Sequence, residues 1–180
     1  MVTSFSTLMD LHERLANALS DSQAQELARY LLGNVPGLPP VVQTLHIVGI
    51  SVVMASIVMI DLRLLGMAVP SQSISEMISR LMPWTWWALP LNAVTGLLFI
   101  FARPNRYFYN PVFGIKLSLL VAAVTLAAVV YQLNRRETGY WEQTLARRIS
   151  GRAIAGCSLV LWIGVVMAGR WIAYWDYLFY

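Results

Sequence analysis

One run of twenty residues, 41–60, contains no aspartate, glutamate, lysine or arginine, and it constrains the fold more than any other feature. An α-helix rises by about 1.5 Å per residue, so this run is long enough to cross a hydrocarbon layer about 30 Å thick. The composition agrees, because 58% of the 180 residues are hydrophobic and only 12% are charged, about half the charged share of a soluble domain. We therefore expect an integral membrane protein.

Three further apolar segments predict three further spans. The four predicted spans cover residues 41–62, 84–102, 112–133 and 153–174. Trp84 and Trp86 open the second span and Arg103 follows it, as is typical of residues at a membrane surface. The links are short and no internal repeat is visible, so we expect an all-α, four-transmembrane-helix up-down bundle in a single domain, 1–180.

The segments outside these spans show helical periodicity with polar faces. Residues 8–33 predict two short amphipathic helices, with a capping box at Thr7 and Asp10 before the first and Ser20 opening the second. These helices either lie at the membrane surface or form an extramembrane pair packed on the loops. Residues 73–81 predict an interfacial helix that ends before Pro83, and 140–150 form a second interfacial amphipathic stretch.

The distribution of cations predicts the orientation. Seven arginines follow the first and third spans, against four on the other side, or six cations when Lys116 and Arg170 are added to the four. The seven are Arg63, Arg80, Arg135, Arg136, Arg147, Arg148 and Arg152. Because cations favour cytoplasmic loops, the N- and C-termini are expected outside.

Polar groups inside the predicted spans gather toward one surface. His46 lies early in the first span, about 8 Å below that surface, and the alternation of spans brings Lys116 and Arg170 to the same side. With Gln43 and Asn110 nearby, these residues predict a polar pocket that opens to the outside. Snorkelling to the interface is the alternative for Lys116 and Arg170.

Several ligands fit such a pocket at the level of sequence. A small molecule, a lipid headgroup or a partner subunit would use His46 and Lys116, and quinone would need a histidine donor and an aromatic wall. Haem b would need a second axial ligand, from His12 or from another subunit. A plain assembly or anchoring subunit without a ligand is the third hypothesis. Asp61 and Arg63 predict a polar anchor at the opposite surface, with Arg80 or Arg135 as further partners for the carboxylate.

Other classes of function lack support in the sequence. Cys157 is the only cysteine, which excludes an intrachain disulfide and a cysteine-based zinc site. No motif of a hydrolase, nucleotide-binding protein or metalloprotease is present, so a non-enzymatic role is favoured. The cations flank spans rather than forming a nucleic-acid footprint, and the expected partners are the lipid bilayer and a homo-oligomer or larger membrane complex.

Short motifs spread over most of the chain resemble those of a known family. They are Leu45-His46-x-x-Gly49, Asp61-Leu62-Arg63-Leu64-Leu65-Gly66, Pro83-Trp84-x-Trp86, Thr95-Gly96, Asn110-x-x-Phe113-x-x-Lys116 and Gly169-Arg170-Trp171. The chain resembles an uncharacterised family of small bacterial membrane proteins, a domain of unknown function. The resemblance implies a four-helix fold and a location in the bacterial inner membrane, and no activity.

Overall fold

The computed structural model describes residues 13–14, 16–20 and 22–175, and within these it is helical and contains no strand. A helical turn at 16–19 precedes the helices numbered here. These are α1 (Gln23–Asn34), α2 (Leu38–Leu65), α3 (Ile74–Ala102), α4 (Pro104–Phe108), α5 (Pro111–Arg136) and α6 (Leu145–Trp171). The predicted capping box at Thr7 and Asp10, and the candidate haem ligand His12, lie outside the described residues.

Four of these helices, α2, α3, α5 and α6, are long and apolar enough to cross a membrane. Helix α2 packs against α3 and α6, and α5 packs mainly against α6. Buried side chains from all four form one core, which includes Ile57, Ile78, Ala123 and Trp162. The predicted all-α class with four spans is confirmed, whereas the single domain, 1–180, stays a prediction.

The outer faces of the same helices are apolar too. Val94, Val121 and Val160 are each about two-thirds exposed, at 67%, 67% and 71%. A soluble protein rarely leaves so much aliphatic surface in contact with water, whereas lipid solvates it without cost. The chain is therefore a multi-pass membrane protein.

Helix α3 corrects one predicted boundary. The interfacial helix expected at 73–81 and the span expected at 84–102 form a single 29-residue helix that continues through Pro83 and Pro90. Ile78 and Met82 are buried before Pro83, and Thr85 is buried directly after it. Packing on both sides of Pro83 outweighs the cost of the backbone hydrogen bond that the proline cannot form. In a membrane, neighbouring helices can supply partners for the backbone group that is left free. Ser73 caps the helix, since Ser73 Oγ accepts from Glu76 N at 3.1 Å.

The other spanning helices are also displaced from the predicted limits. Helix α6 begins at Leu145, where Thr144 caps it, and absorbs half of the stretch predicted as interfacial; it ends at Trp171 rather than at 174. Helix α2 begins three residues earlier than predicted, with prolines in its first turn, where a missing N–H costs nothing. The charged and polar residues at the ends of these spans therefore lie within the helices, whereas the sequence predicts them in flanking segments.

Helix α1 lies beside the spanning bundle. Ser22, rather than the predicted Ser20, caps it by accepting from Gln25 N at 3.2 Å, and the helix ends at Asn34. Gln25 and Ala28 face α3, and Arg29 Nε donates to Ala102 O at 3.3 Å. Leu27 remains 59% exposed. The position of this helix at the membrane surface stays a prediction.

Candidate functional site

His46 on α2 points toward α3, where a threonine fixes its imidazole. His46 Nδ1 lies 2.7 Å from Thr95 Oγ1, and Thr95 is buried. The ring lies over Gly96, where a Cβ atom would come within 3.4 Å of His46 Cε1. His46 is about 12 Å along α2 from its first residue, because the helix begins earlier than the sequence suggested.

The hydrogen bonds around Thr95 favour one of the two tautomers of a neutral His46. Thr95 Oγ1 donates its single proton within its own helix, to Leu91 O at 2.8 Å or Asn92 O at 3.2 Å. With its proton directed to either of these carbonyls, Thr95 Oγ1 accepts from His46 Nδ1–H; with its proton directed to the imidazole, Thr95 donates to Nδ1 and the ring proton lies on Nε2. The first arrangement uses both contacts of the hydroxyl. A neutral His46 then presents the lone pair of Nε2, which forms no hydrogen bond within the described residues. This arrangement resembles the outer-shell bonds that orient ligand-binding histidines in general.

One helical turn along α2, a glycine and an asparagine hold α2 and α3 together. A Cβ atom at Gly49 would lie only 2.9 Å from Asn92 Cγ, so the asparagine side chain occupies the space that the glycine leaves. With its amide oriented to satisfy both atoms, Asn92 donates to His46 O at 2.9 Å and accepts from Ile50 N at 3.1 Å. The backbone that carries His46 is therefore fixed directly to α3.

Lys116 on α5 supplies the second polar group of the site. Its half-buried side chain lies against Gly169 of α6, and a Cβ atom there would be 3.6 Å from Lys116 Nζ. Lys116 forms no hydrogen bond or ion pair within the part of the chain that the structure describes, and it lies within electrostatic reach of His46. Of the five residues proposed for the pocket, His46 and Lys116 lie within range of an electrostatic interaction, and each has a polar atom without a hydrogen bond among the described residues.

The other three residues occupy different positions. Asn110 is buried and structural: its side chain accepts from Val112 N at 3.0 Å and donates to Ile172 O at 3.2 Å. Arg170 is exposed and donates to Tyr174 Oη at 2.6 Å, so its guanidinium is held by the aromatic end of α6. Gln43 is exposed one turn before His46. Asp176, which is close enough in the sequence to pair with Arg170, lies outside the described residues.

The end of the bundle that carries this site is rich in cations. They are Arg29, Arg103, Arg106, Lys116 and Arg170. Tyr107 also lies here; burial raises the pKa of its hydroxyl, while the nearby Arg106 and Arg103 act in the opposite direction. The phenol therefore stays neutral at physiological pH and does not offset the positive charge.

At the opposite end, Asp61 is not paired as the sequence suggested. Its carboxyl is buried on α2 with the Ser158 hydroxyl of α6 as its hydrogen-bonding neighbour, and Oδ2 has no partner within the described residues. Arg63 instead donates to Gln72 O at 2.7 Å, and Arg80 pairs with Glu76 at 2.8 Å. Among the described residues Asp61 forms no ion pair with an arginine, because the helical turn directs Asp61 inward and Arg63 toward the following loop.

A family model matches residues 34–175, which is most of the chain and contains both ends of the bundle just described. The chain belongs to the family of unknown function DUF6644. Comparison with curated proteins and with solved structures found no match. Membership in DUF6644 confirms the resemblance to an uncharacterised family and supplies no ligand or reaction.

In this DUF6644 chain, some of the residues that form hydrogen bonds between helices could be identified from the sequence, and others could not. Asn92, Thr95, Ser118 and Thr125 are polar residues within apolar spans, which makes them candidates for hydrogen bonds across helices, and Asn92 and Thr95 form such bonds. Ser118 and Thr125, selected for the same reason, bond to their own helices. Ser158 gave no signal, because its role depends on how α6 is rotated against α2. Among the described residues, no group of three or more histidine, cysteine, aspartate or glutamate side chains could hold a metal ion.

Proposed function

We propose that this protein is a non-enzymatic, ligand-binding bundle of the bacterial inner membrane, and that the site formed by His46 and Lys116 binds one small amphipathic molecule within a single leaflet. The observation that carries the proposal is that His46 and Lys116, within electrostatic range of each other at one end of the bundle, each have a polar atom without a hydrogen bond among the described residues. A polar group within a membrane is costly unless it is hydrated, paired or used.

The hydrogen-bonding capacity of the two side chains limits the ligand. His46 Nε2 accepts a hydrogen bond when the neutral imidazole carries its proton on Nδ1, whereas Lys116 Nζ only donates hydrogen bonds. A ligand that carries both a hydroxyl group and a second, acceptor oxygen matches this pair. The apolar faces that flank the site favour a molecule with a hydrocarbon body, such as a lipid with a hydroxyl-bearing headgroup.

The second candidate is a membrane subunit of an electron-transfer system that binds quinone or haem b. The contact between His46 Nδ1 and Thr95 Oγ1 favours it when the imidazole is the donor, because Nε2 then presents the lone pair that a quinol hydroxyl or a haem iron requires of a histidine. Lys116 would then pair with a quinone oxygen or a haem propionate. A second axial ligand would come from His12 or from another copy of the chain.

We also propose an orientation with both termini outside. Seven arginines gather at the end of the bundle remote from His46, which favours that end as cytoplasmic. The site would then open in the outer leaflet. Partners within this proposal are the bilayer itself and a second copy or a larger membrane complex.

The test is to identify molecules that remain bound to the full chain after purification from a bacterial membrane in mild detergent, by native mass spectrometry and extraction. Lys116→Met removes the ammonium group and keeps most of the side-chain volume. We expect one small molecule bound to the wild-type protein, and at least about tenfold less bound to the variant.

Ser118→Ala is the matched control, because Ser118 lies on the same helix, is exposed and donates only to Gly114 O. Equal retention by the wild type and by Lys116→Met would overturn the proposal, as would a wild-type protein that carries no ligand; the latter result would favour an anchoring subunit. A Soret band that disappears in His46→Ala would establish haem and select the second candidate.

A further inference from the structure

A cleft of about 370 Å³ opens at the end of the bundle opposite His46. It lies where the C-terminal end of α2, the first turns of α3 and α6, and the loop between α5 and α6 meet. Its lining consists of Arg63, Leu64, Gly66, Ile74, Trp141, Glu142, Arg148 and Arg152. Three guanidinium groups therefore face one carboxylate, which leaves the cleft with a net charge of +2.

The three arginines differ in how many hydrogen bonds and ion pairs their guanidinium groups already form. Arg148 donates through Nε and Nη2 to a backbone carbonyl, Glu142 O, at 3.2 and 3.0 Å, so its charge is not neutralised. Arg63 uses Nε on Gln72 O, and its Nη2 is 4.0 Å from Glu142 Oε1. Arg152 is exposed and makes no hydrogen bond or ion pair within the described residues. The cleft thus keeps charged donors from three residues.

Glu142 shows that this cleft already accommodates an oxyanion. Its Oε1 accepts from the backbone N–H of Ile74 at 3.0 Å, at the N-terminus of α3, and the same oxygen faces Arg63. Free N–H groups and the dipole at a helix start favour a negative group. The Glu142 carboxylate therefore faces Arg63, whereas Arg148 and Arg152 form no ion pair among the described residues.

The floor of the cleft is rigid. Trp141 is 2% exposed and packs against Gly151 of α6, where a Cβ atom would lie 3.0 Å from the Trp141 ring. The loop that carries Trp141 is fixed to α3, since Gly139 N donates to Ser75 Oγ at 2.7 Å and Ser75 Oγ donates to Asn134 Oδ1 at 2.6 Å. The arginines therefore project from a preformed surface, which reduces the entropy lost when a ligand binds.

We propose that this cleft binds a phosphate group, held by the guanidinium groups of Arg148 and Arg152, with Arg63 completing the positive surroundings. Planar guanidinium groups bind phosphate through paired hydrogen bonds, and basic pockets between membrane helices bind anionic headgroups. The phosphate belongs either to an anionic phospholipid of the adjacent leaflet or to a soluble phosphate compound. Both sources share this chemistry.

The experiment measures the thermal unfolding midpoint of the purified full-length protein in detergent at constant ionic strength. Three additions are compared: mixed micelles with dioleoyl phosphatidylglycerol, mixed micelles with dioleoyl phosphatidylcholine, and sodium phosphate. We expect phosphatidylglycerol to raise the midpoint of the wild type by about 5 °C at saturating concentration, and phosphatidylcholine to have little effect. A rise with sodium phosphate alone would support the site and identify a soluble source.

Arg152→Gln is the test variant, because this exposed side chain has no partner to lose, and we expect it to abolish roughly half or more of the shift. Arg152→Lys keeps the charge and should retain most of it. Arg80→Gln is the matched control, since Arg80 is exposed at the same end, pairs only with Glu76 and lies outside the cleft. Equal shifts with both lipids, or equal losses in Arg152→Gln and Arg80→Gln, would overturn the proposal.

Discussion

Five polar residues inside the spanning helices fall into two classes that differ in their hydrogen bonds. Ser51, Ser118 and Thr125 bond to carbonyls of their own helices, so they need no neighbouring helix. Thr95 and Asn92 bond across to α2. Only the second class can determine how a functional side chain is presented, because its partners lie on another helix.

Replacing Thr95 with valine tests this distinction. The substitution keeps the shape and leaves His46 Nδ1 without its hydrogen-bond partner, so we expect the free energy of unfolding to fall by about 1 kcal/mol. Reversible unfolding in detergent provides the measurement. Thr125→Val should change it by less than about 0.5 kcal/mol, because that hydroxyl is exposed and bonds within α5. Similar losses in both variants would contradict the assigned role of Thr95.

The sequence identified His46 and Lys116 because an ionisable residue stands out within an apolar run. It did not identify the surroundings of Asp61. Its burial against Ser158 depends on the rotation of α6 about its axis, and a nearly uniform apolar sequence leaves that rotation undetermined. The arginine cleft was missed for a related reason, since Arg148 and Arg152 were read as flanking cations.

At the scale of helices, the close approach of α2 and α3 depends on a glycine. Gly49 leaves room for the Asn92 side chain to reach the α2 backbone. Gly164 similarly faces Leu119 of α5, where a Cβ atom would lie at 3.1 Å. Small residues allow backbones to approach in a membrane, where burial of apolar surface contributes little to association.

Gly49→Ala should therefore destabilise the bundle by about 1–3 kcal/mol, because the added methyl group overlaps the Asn92 amide. Gly156→Ala is the control within a spanning helix, since a Cβ atom there meets nothing within 4 Å. In the double variant with Asn92→Ala, we expect the cost of the Gly49 change to shrink, which a double-mutant cycle measures. Additive losses would indicate that the two residues do not share this space.

The spans themselves could be predicted, and their limits could not. Length and apolar composition identified all four spanning helices. Pro83 was read as a break, but burial of Ile78 and Thr85 on either side carries α3 through it. At such positions tertiary packing overrides the low helix propensity of proline. The packing partners cannot be identified from a single sequence.

At the scale of the whole molecule, the two ends of the bundle differ in chemistry. One end carries His46 and Lys116 together with several arginines. Apolar helix faces flank this cationic end. The other end carries the arginine cleft, with Glu142 as an internal anion. This separation requires that the four helices alternate in direction across the membrane, and that the loop after α5 and the segment after α3 lie on opposite sides.

Site-directed labelling tests that alternation most directly. In a Cys157→Ser background, single cysteines replace Arg103, after α3, and Thr138, after α5; both positions are exposed. A membrane-impermeant maleimide is added to intact spheroplasts and, separately, after permeabilisation. We expect labelling of position 103 before permeabilisation and of position 138 only after it. The inverted pattern would contradict the proposed orientation, and labelling of both positions in intact spheroplasts would contradict the four-span arrangement itself.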